Sequence, residues 1–335
     1  MNTRTSDSLP SLRRLLVVSI LLPAAVVASN MILLYVAPHK LLRSSFYPWM
    51  VFSVAVLSWS AGRFVRPAWL CWVVFVWSLV LLDMLTIAVC LAGPVDRSIG
   101  YVLVSAQIGL VVLWAILGSG HWQLRLPAAI AAIPVVNLLA ANLGGTRPLD
   151  WDSVLFVSTG VMTALCGGLR YLGFAILQED SATTSPTNRG KRPAVQFGVK
   201  HMLIWLTVTG PLLLVLRSIN LGGETNFSIA LIAVSVATLN LISIWAVLGG
   251  GPALLRIACL VAVPLGIAWG LNAYSAHLKT VFTSSPRTQV SQTIYAMIHM
   301  HGRWTSWFWL AAALLDALLM FLRARGYRLL RTRRA

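Results

Sequence analysis

From Pro67 to Gly93 the chain carries a single charged side chain, Asp83, and is otherwise almost wholly apolar. A run of that length exceeds the ~20 residues an α-helix needs to cross ~30 Å of hydrocarbon. In lipid the backbone must satisfy its own hydrogen bonds, so such a run folds as a helix. Comparable runs recur along the sequence: 15–36, 47–61, 101–117, 126–143, 153–177, 201–216, 228–248, 252–273 and 305–322. The expected fold is therefore an all-α integral membrane protein of about ten transmembrane helices.

Composition agrees with this class. Hydrophobic residues make up 58% of the 335 and charged residues 10%, with a mean hydropathy of +0.80. A net charge of +17 would fit a nucleic-acid binder if it were gathered on one face. Here the 26 Lys and Arg are scattered between apolar runs, which points to the lipid bilayer as partner and to no nucleic acid.

The polar stretch 178–200, dense in Ser, Thr, Pro and charge, divides the sequence. It separates an N-terminal membrane region, 1–177, with six expected spans from a C-terminal one, 201–335, with four and a basic tail. The first span has the outline of a signal peptide from Arg13 to Ala28, but it continues to Val36 without a polar break, which favours a retained helix. The second, 47–61, is short and rich in Ser and Trp.

Charge then orients the spans. Eighteen of the 26 basic residues fall on the side that holds the N-terminus, Arg63, Arg66, Arg125, the linker, Arg256 and the arginine-rich tail. The remaining eight, among them Lys40, Arg97, Arg147 and Arg217, fall on the other. The bias predicts an inner-membrane location with both termini and the linker in the cytoplasm. Dropping the second span would send the tail outward, so the same bias argues for keeping it.

An internal repeat accompanies the hydropathy. Residues 106–125 and 237–256 match at nine of twenty positions, including Trp114/Trp245, Gly118/Gly249, Gly120/Gly251 and Arg125/Arg256. Each copy closes one span and opens the next. Trp suits a headgroup layer, Gly permits a left-handed helix cap, and Arg snorkels to the same interface. The copies lie four spans apart and so share one orientation, which predicts a degenerate parallel four-helix repeat. The sixth and tenth spans also end alike, in Leu169-Arg170-Tyr171 and Leu322-Arg323.

The lead Gln196-Phe197-Gly198-Val199-Lys200-His201-Met202-Leu203, with the apolar run that follows to Arg217, resembles one found in many uncharacterised multi-pass membrane proteins of planctomycete bacteria. The Trp-Ala-x-Leu-Gly phrase with its downstream Leu-Arg is similar to a second element of that group. The resemblance covers about a third of the chain, and Gly198 stands where such leads more often have Ser. It implies a lineage and an envelope location, with no activity or cofactor to carry over.

Three sets of residues are candidates for chemistry. Asp83 and Asp316 lie in mid-span with no cation at their depth, where an ionised carboxylate costs ~2.5–3.5 kcal/mol. Each is expected either to be neutral and hydrogen-bonded between helices or to serve an ion or proton path. Asn137 and Asn240 read as hydrogen-bonding glue between helices. The outward segment offers His277, Met297, His299 and His301, a soft donor set that suits copper if it converges. On a helix, though, Met297 and His301 share a face that His299 does not. That segment also reads as an amphipathic stretch anchored by Trp304, Trp307 and Trp309. The four cysteines sit in apolar runs without CxxC spacing and read as small buried hydrophobes. With no nucleophile–base pairing and no phosphate loop, the sequence suggests a structural or accessory membrane protein before a transporter, a membrane enzyme or a metal handler.

Overall fold

The computed structural model describes residues 17–36, 39–65, 68–91, 98–118, 123–132, 149–178, 224–283, 298 and 303–331. A π-helical turn, Val17–Leu21, leads into α1 (Leu22–Val36). There follow α2 (His39–Phe64), α3 (Ala68–Leu91), α4 (Ser98–Leu117), α5 (123–132), α6 (Leu149–Tyr171), α7 (Glu224–Leu248), α8 (Ala253–Thr283) and α9 (Trp304–Ala324). Helix therefore occupies the described parts of the expected spans, except at the end of the sixth. The run 201–216 and residues 133–143 lie outside the described residues.

Among the described residues four helical stretches are long and apolar enough to cross a membrane: Ser153–Tyr171, Asn226–Leu248, Ala253–Phe282 and Trp304–Ala324. Two shorter apolar stretches, Leu70–Leu81 and Val102–Leu117, accompany them. The chain is thus a helical membrane protein, with four such spans among the described residues.

The sixth expected span departs from its hydropathy. Helix α6 stops at Tyr171, and after a turn the chain forms β1 (Phe174–Gln178), which pairs antiparallel with β2 (Tyr327–Arg331). The fold is therefore not all-α. Both strands leave their helices in the same way: Leu172-Gly173 follows α6 and Arg325-Gly326 follows α9, with Gly173 at φ 87° and Gly326 at φ 78°. These left-handed turns suit glycine because a Cβ is strained there. Replacing Gly326 by alanine is expected to cost about 1 kcal/mol of stability, read as a lowered midpoint of thermal unfolding in detergent.

The register centres on the pair Ile176↔Leu329, with Phe174↔Arg331 and Gln178↔Tyr327 at its ends. In sequence, Gly173-Phe174-Ala175-Ile176-Leu177 corresponds to Gly326-Tyr327-Arg328-Leu329-Leu330. Ile176 and Leu329 are equivalent positions, so two like strands meet about a local two-fold axis.

The chain forms two compact units, one of Met1–Asp96 with Ala317–Arg325 and one of Arg97–Asp316 with Gly326–Ala335. In the first, α2 lies against α3. The Cys71 thiol donates to the Ala61 carbonyl at 3.1 Å, and Phe75 stacks on Phe321 with ring centroids 4.1 Å apart. Gly62 allows the α2 backbone to meet α9, since a Cβ there would sit 2.8 Å from the Phe321 carbonyl oxygen.

In the second unit α7 is the central helix. Its membrane stretch is 83% buried, whereas that of α8 is 17% buried. The sequence of α7 suits that position: Ala233, Ala237 and Ala246 are small, and Ser228, Ser235, Asn240 and Ser243 place buried polar groups between helices. Asn240 reaches α4 because Gly109 leaves room for it: a Cβ on Gly109 would lie 2.8 Å from Asn240 Nδ2. The Trp304 indole donates to Ser275 Oγ at 3.1 Å and ties α9 to α8.

Candidate functional site

The repeated phrase forms two hairpin corners built alike, and their chemistry differs from snorkelling. At the first, α4 ends when the Gly118 amide donates to the Trp114 carbonyl. Arg125, from the start of α5, turns back and donates through Nη1 to the carbonyls of Trp114 and Ala115, at 2.9 and 3.1 Å. At the second, Gly249 donates to Trp245, and Arg256 Nη1 donates to Ala246 at 3.1 Å and to Gly249 at 3.5 Å. The shared bonds, Arg125 to Ala115 and Arg256 to Ala246, span the same ten residues.

These arginines donate to carbonyls in or just beyond the last turn of a helix, Arg125 reaching that of Trp114 as a second donor beside the Gly118 amide, and their charge sits at the negative end of the helix dipole. Arg125 is 6% exposed, so it does not extend to a headgroup layer. Burial, and then the nearby Arg170 guanidinium, pushes Arg125 below its ordinary pKa. The tryptophans turn inward too: Trp245 is fully buried, and Trp304 and Trp307 are buried while Trp309 is exposed.

The glycines also act otherwise than expected. Neither Gly118 nor Gly249 has a left-handed φ; Gly251 does, at 125°. Gly118 is needed for space, because a Cβ there would strike the Trp114 carbonyl oxygen and lie 2.9 Å from Arg125 Nη1. Gly120 lies outside the described residues. With Nη1 of each arginine committed to backbone, the corners are closures of the fold.

The two mid-helix carboxylates are of two kinds. Asp83, half-buried on α3, belongs to the first unit and takes part in a polar interaction. Asp316, on α9, belongs to the second. The hydroxyl of Ser243, on α7, is the side-chain group that faces the Asp316 carboxyl. Yet Ser243 Oγ and Asp316 Oδ1 are both shut off from solvent and complete no hydrogen bond among the described residues. Sequence reasoning found Asp316 and missed Ser243, whose only signal was a hydroxyl inside the apolar run Leu241-Ile242-Ser243-Ile244-Trp245.

Asn137, Met297, His299 and His301 lie outside the described residues, and His277 is exposed on α8. Among the described residues no three His, Cys, Asp or Glu side chains come together as a metal site. Cys71 and Cys166 are buried and Cys259 is half-buried, all as free thiols.

No protein family model, no curated protein and no solved structure matches the chain. Its class rests on its own features: a helical integral membrane protein whose helix ends are closed by arginines and whose sixth and ninth helices run on into paired strands.

Proposed function

We propose that the chain is a ten-span protein of the bacterial inner membrane with a structural or accessory role in the envelope. Both termini and the linker lie in the cytoplasm, and the lineage is that of the planctomycete proteins it resembles. The observation that carries this reading is the fastening of helix ends by arginine. Arg125 closes α4, Arg256 closes α7, and Arg325 donates to the Val65 carbonyl just beyond α2 at 3.3 Å. By the alternation of spans, all three ends fall on the side that the charge bias assigns to the cytoplasm. The paired strands follow helix ends on that side as well. Such a chain commits three of its cytoplasmic cations to holding its own architecture, which suits a rigid membrane element.

Duplication explains the pattern economically. The equivalent corner bonds and the like strands meeting about a two-fold axis support a parallel repeat in which α4 and α5 correspond to α7 and α8, and α6–β1 to α9–β2. Two topology fusions test the orientation. Alkaline phosphatase joined after Ala335 or within the linker is expected to be inactive, and a fluorescent protein at the same points to be bright. Active phosphatase at either point overturns the assignment. A deletion strain that withstands detergent and chelator stress as its parent does removes the accessory role.

A second reading, a transporter, is favoured by one observation alone: in mid-helix, Asp316 Oδ1 and Ser243 Oγ are shut off from solvent and complete no hydrogen bond among the described residues. Uptake of a labelled substrate that depends on Asp316 would support it against the structural role.

A further inference from the structure

We propose that Asp316 and Ser243 form a reversible proton-binding site inside the membrane. Helix geometry sets the depth: at 1.5 Å per residue Asp316 lies about 12 Å before the end of α9, and Ser243 about 8 Å before the end of α7. The inference concerns this pair alone and holds for either orientation of the chain.

Two independent observations converge. The first is that the fully buried Ser243 hydroxyl faces the carboxyl of half-buried Asp316, whose Oδ1 is shut off from solvent, and that Ser243 Oγ and Asp316 Oδ1 both lack a hydrogen-bond partner among the described residues. The second is the contrast with other helical hydroxyls. Ser53, Ser78, Ser158, Thr159 and Ser235 each donate to a carbonyl three or four residues back in their own helix. Ser243, completely buried, does not. Its hydroxyl is left to Asp316.

A hydroxyl is the group that suits a site with two protonation states, since it accepts from a carboxylic acid and donates to a carboxylate. An acid kept permanently neutral for packing would be expected to have its donor and acceptor sites filled. Among the described residues no charged side chain stands against the Asp316 carboxyl. On α6, which packs along α7, the ionisable residues are Asp150, Asp152, Cys166, Arg170 and Tyr171, and on α4 the one is Tyr101. Helix α7 has no ionisable residue after Glu224. On α9 the nearest are Arg303 and Arg323, at its two ends. On α8 they are Arg256, Cys259, Tyr274, His277 and Lys279; of these Tyr274 lies beside Ser228, and Arg256 is engaged with the α7 terminus. The ligand that fits a lone desolvated carboxylate in such a place is a proton. It leaves a hydronium ion, whose O–H bond breaks to release water, and forms an O–H bond to a carboxylate oxygen; deprotonation is the reverse.

The test is infrared spectroscopy of the full chain in liposomes, titrated from mildly acidic to alkaline buffer. The wild type is expected to lose one protonated-carboxyl carbonyl band and gain carboxylate absorption. Asp316→Asn should lack that change while unfolding at the wild-type temperature, because the amide has the shape of the neutral acid. Ser243→Ala should keep the band but shift both its frequency and its midpoint. A band at Asp316 that never titrates, or carboxylate absorption throughout, overturns the proposal. So does a Ser243→Ala spectrum identical to the wild type.

Discussion

Phe321→Ala is expected to destabilise the first compact unit by about 3–5 kcal/mol, the usual cost of emptying a large aromatic site in a packed interior. Phe321 is 1% exposed. Its ring stacks on Phe75 at an interplanar angle of 13°, and Trp72 packs on it from 4.8 Å. Alanine removes both ring contacts, and such pairs contribute about 0.5–1.5 kcal/mol beyond area burial. Collapse cannot refill the site easily. At Gly62 the α2 and α9 backbones already meet, with Ala324 Cβ only 2.9 Å from where a Gly62 Cβ would stand. Thermal unfolding in detergent should show the loss, and Phe321→Leu should recover part of it. Phe156→Ala is the control: that ring is 77% exposed and should shift stability by less than about 0.5 kcal/mol. Equal effects at the two positions would show that the stack does not hold the unit.

The helices were legible because their ends are marked. Leu117 is followed by Gly118 and Leu248 by three glycines, and the breaks in hydropathy coincide with these residues. The strand after α6 was not legible. Phe174-Ala175-Ile176-Leu177 continues the apolar composition of the helix before it, and a short apolar run does not distinguish strand from helix. Only Gly173 marked the change, and its partner Gly326 lies far away in sequence.

The arginines were misread for a related reason. A cation that snorkels and one that folds back on a helix end occupy the same sequence position, and only the carbonyls within reach separate them. At the candidate site the carboxylate was plain and the hydroxyl was not. Helical serines ordinarily bond to their own backbone, so nothing local marked Ser243 as the exception.

The two corners, equal in sequence, should differ in strength. Arg125→Met is expected to cost about 2–4 kcal/mol, and Arg256→Met roughly half of that, on the scale of 1.5–3 kcal/mol for a hydrogen bond to a charged group. Arg125 is buried and makes bonds of 2.9 and 3.1 Å, so its loss leaves the Trp114 and Ala115 carbonyls facing an apolar side chain away from water. Arg256 is only half-buried, and its second bond, at 3.5 Å, is at the limit of useful geometry. Water can replace it there. Methionine preserves the length of the stem, so the difference reports the guanidinium and not the packing. Arg125→Lys separates charge from geometry. An ammonium keeps the favourable charge at the helix end but lacks the planar fork, and should restore less than half of the loss. Unfolding midpoints in detergent for the three variants give the order directly. If Arg256→Met proved the costlier, the Arg125 bonds would not be what fastens α4 to α5.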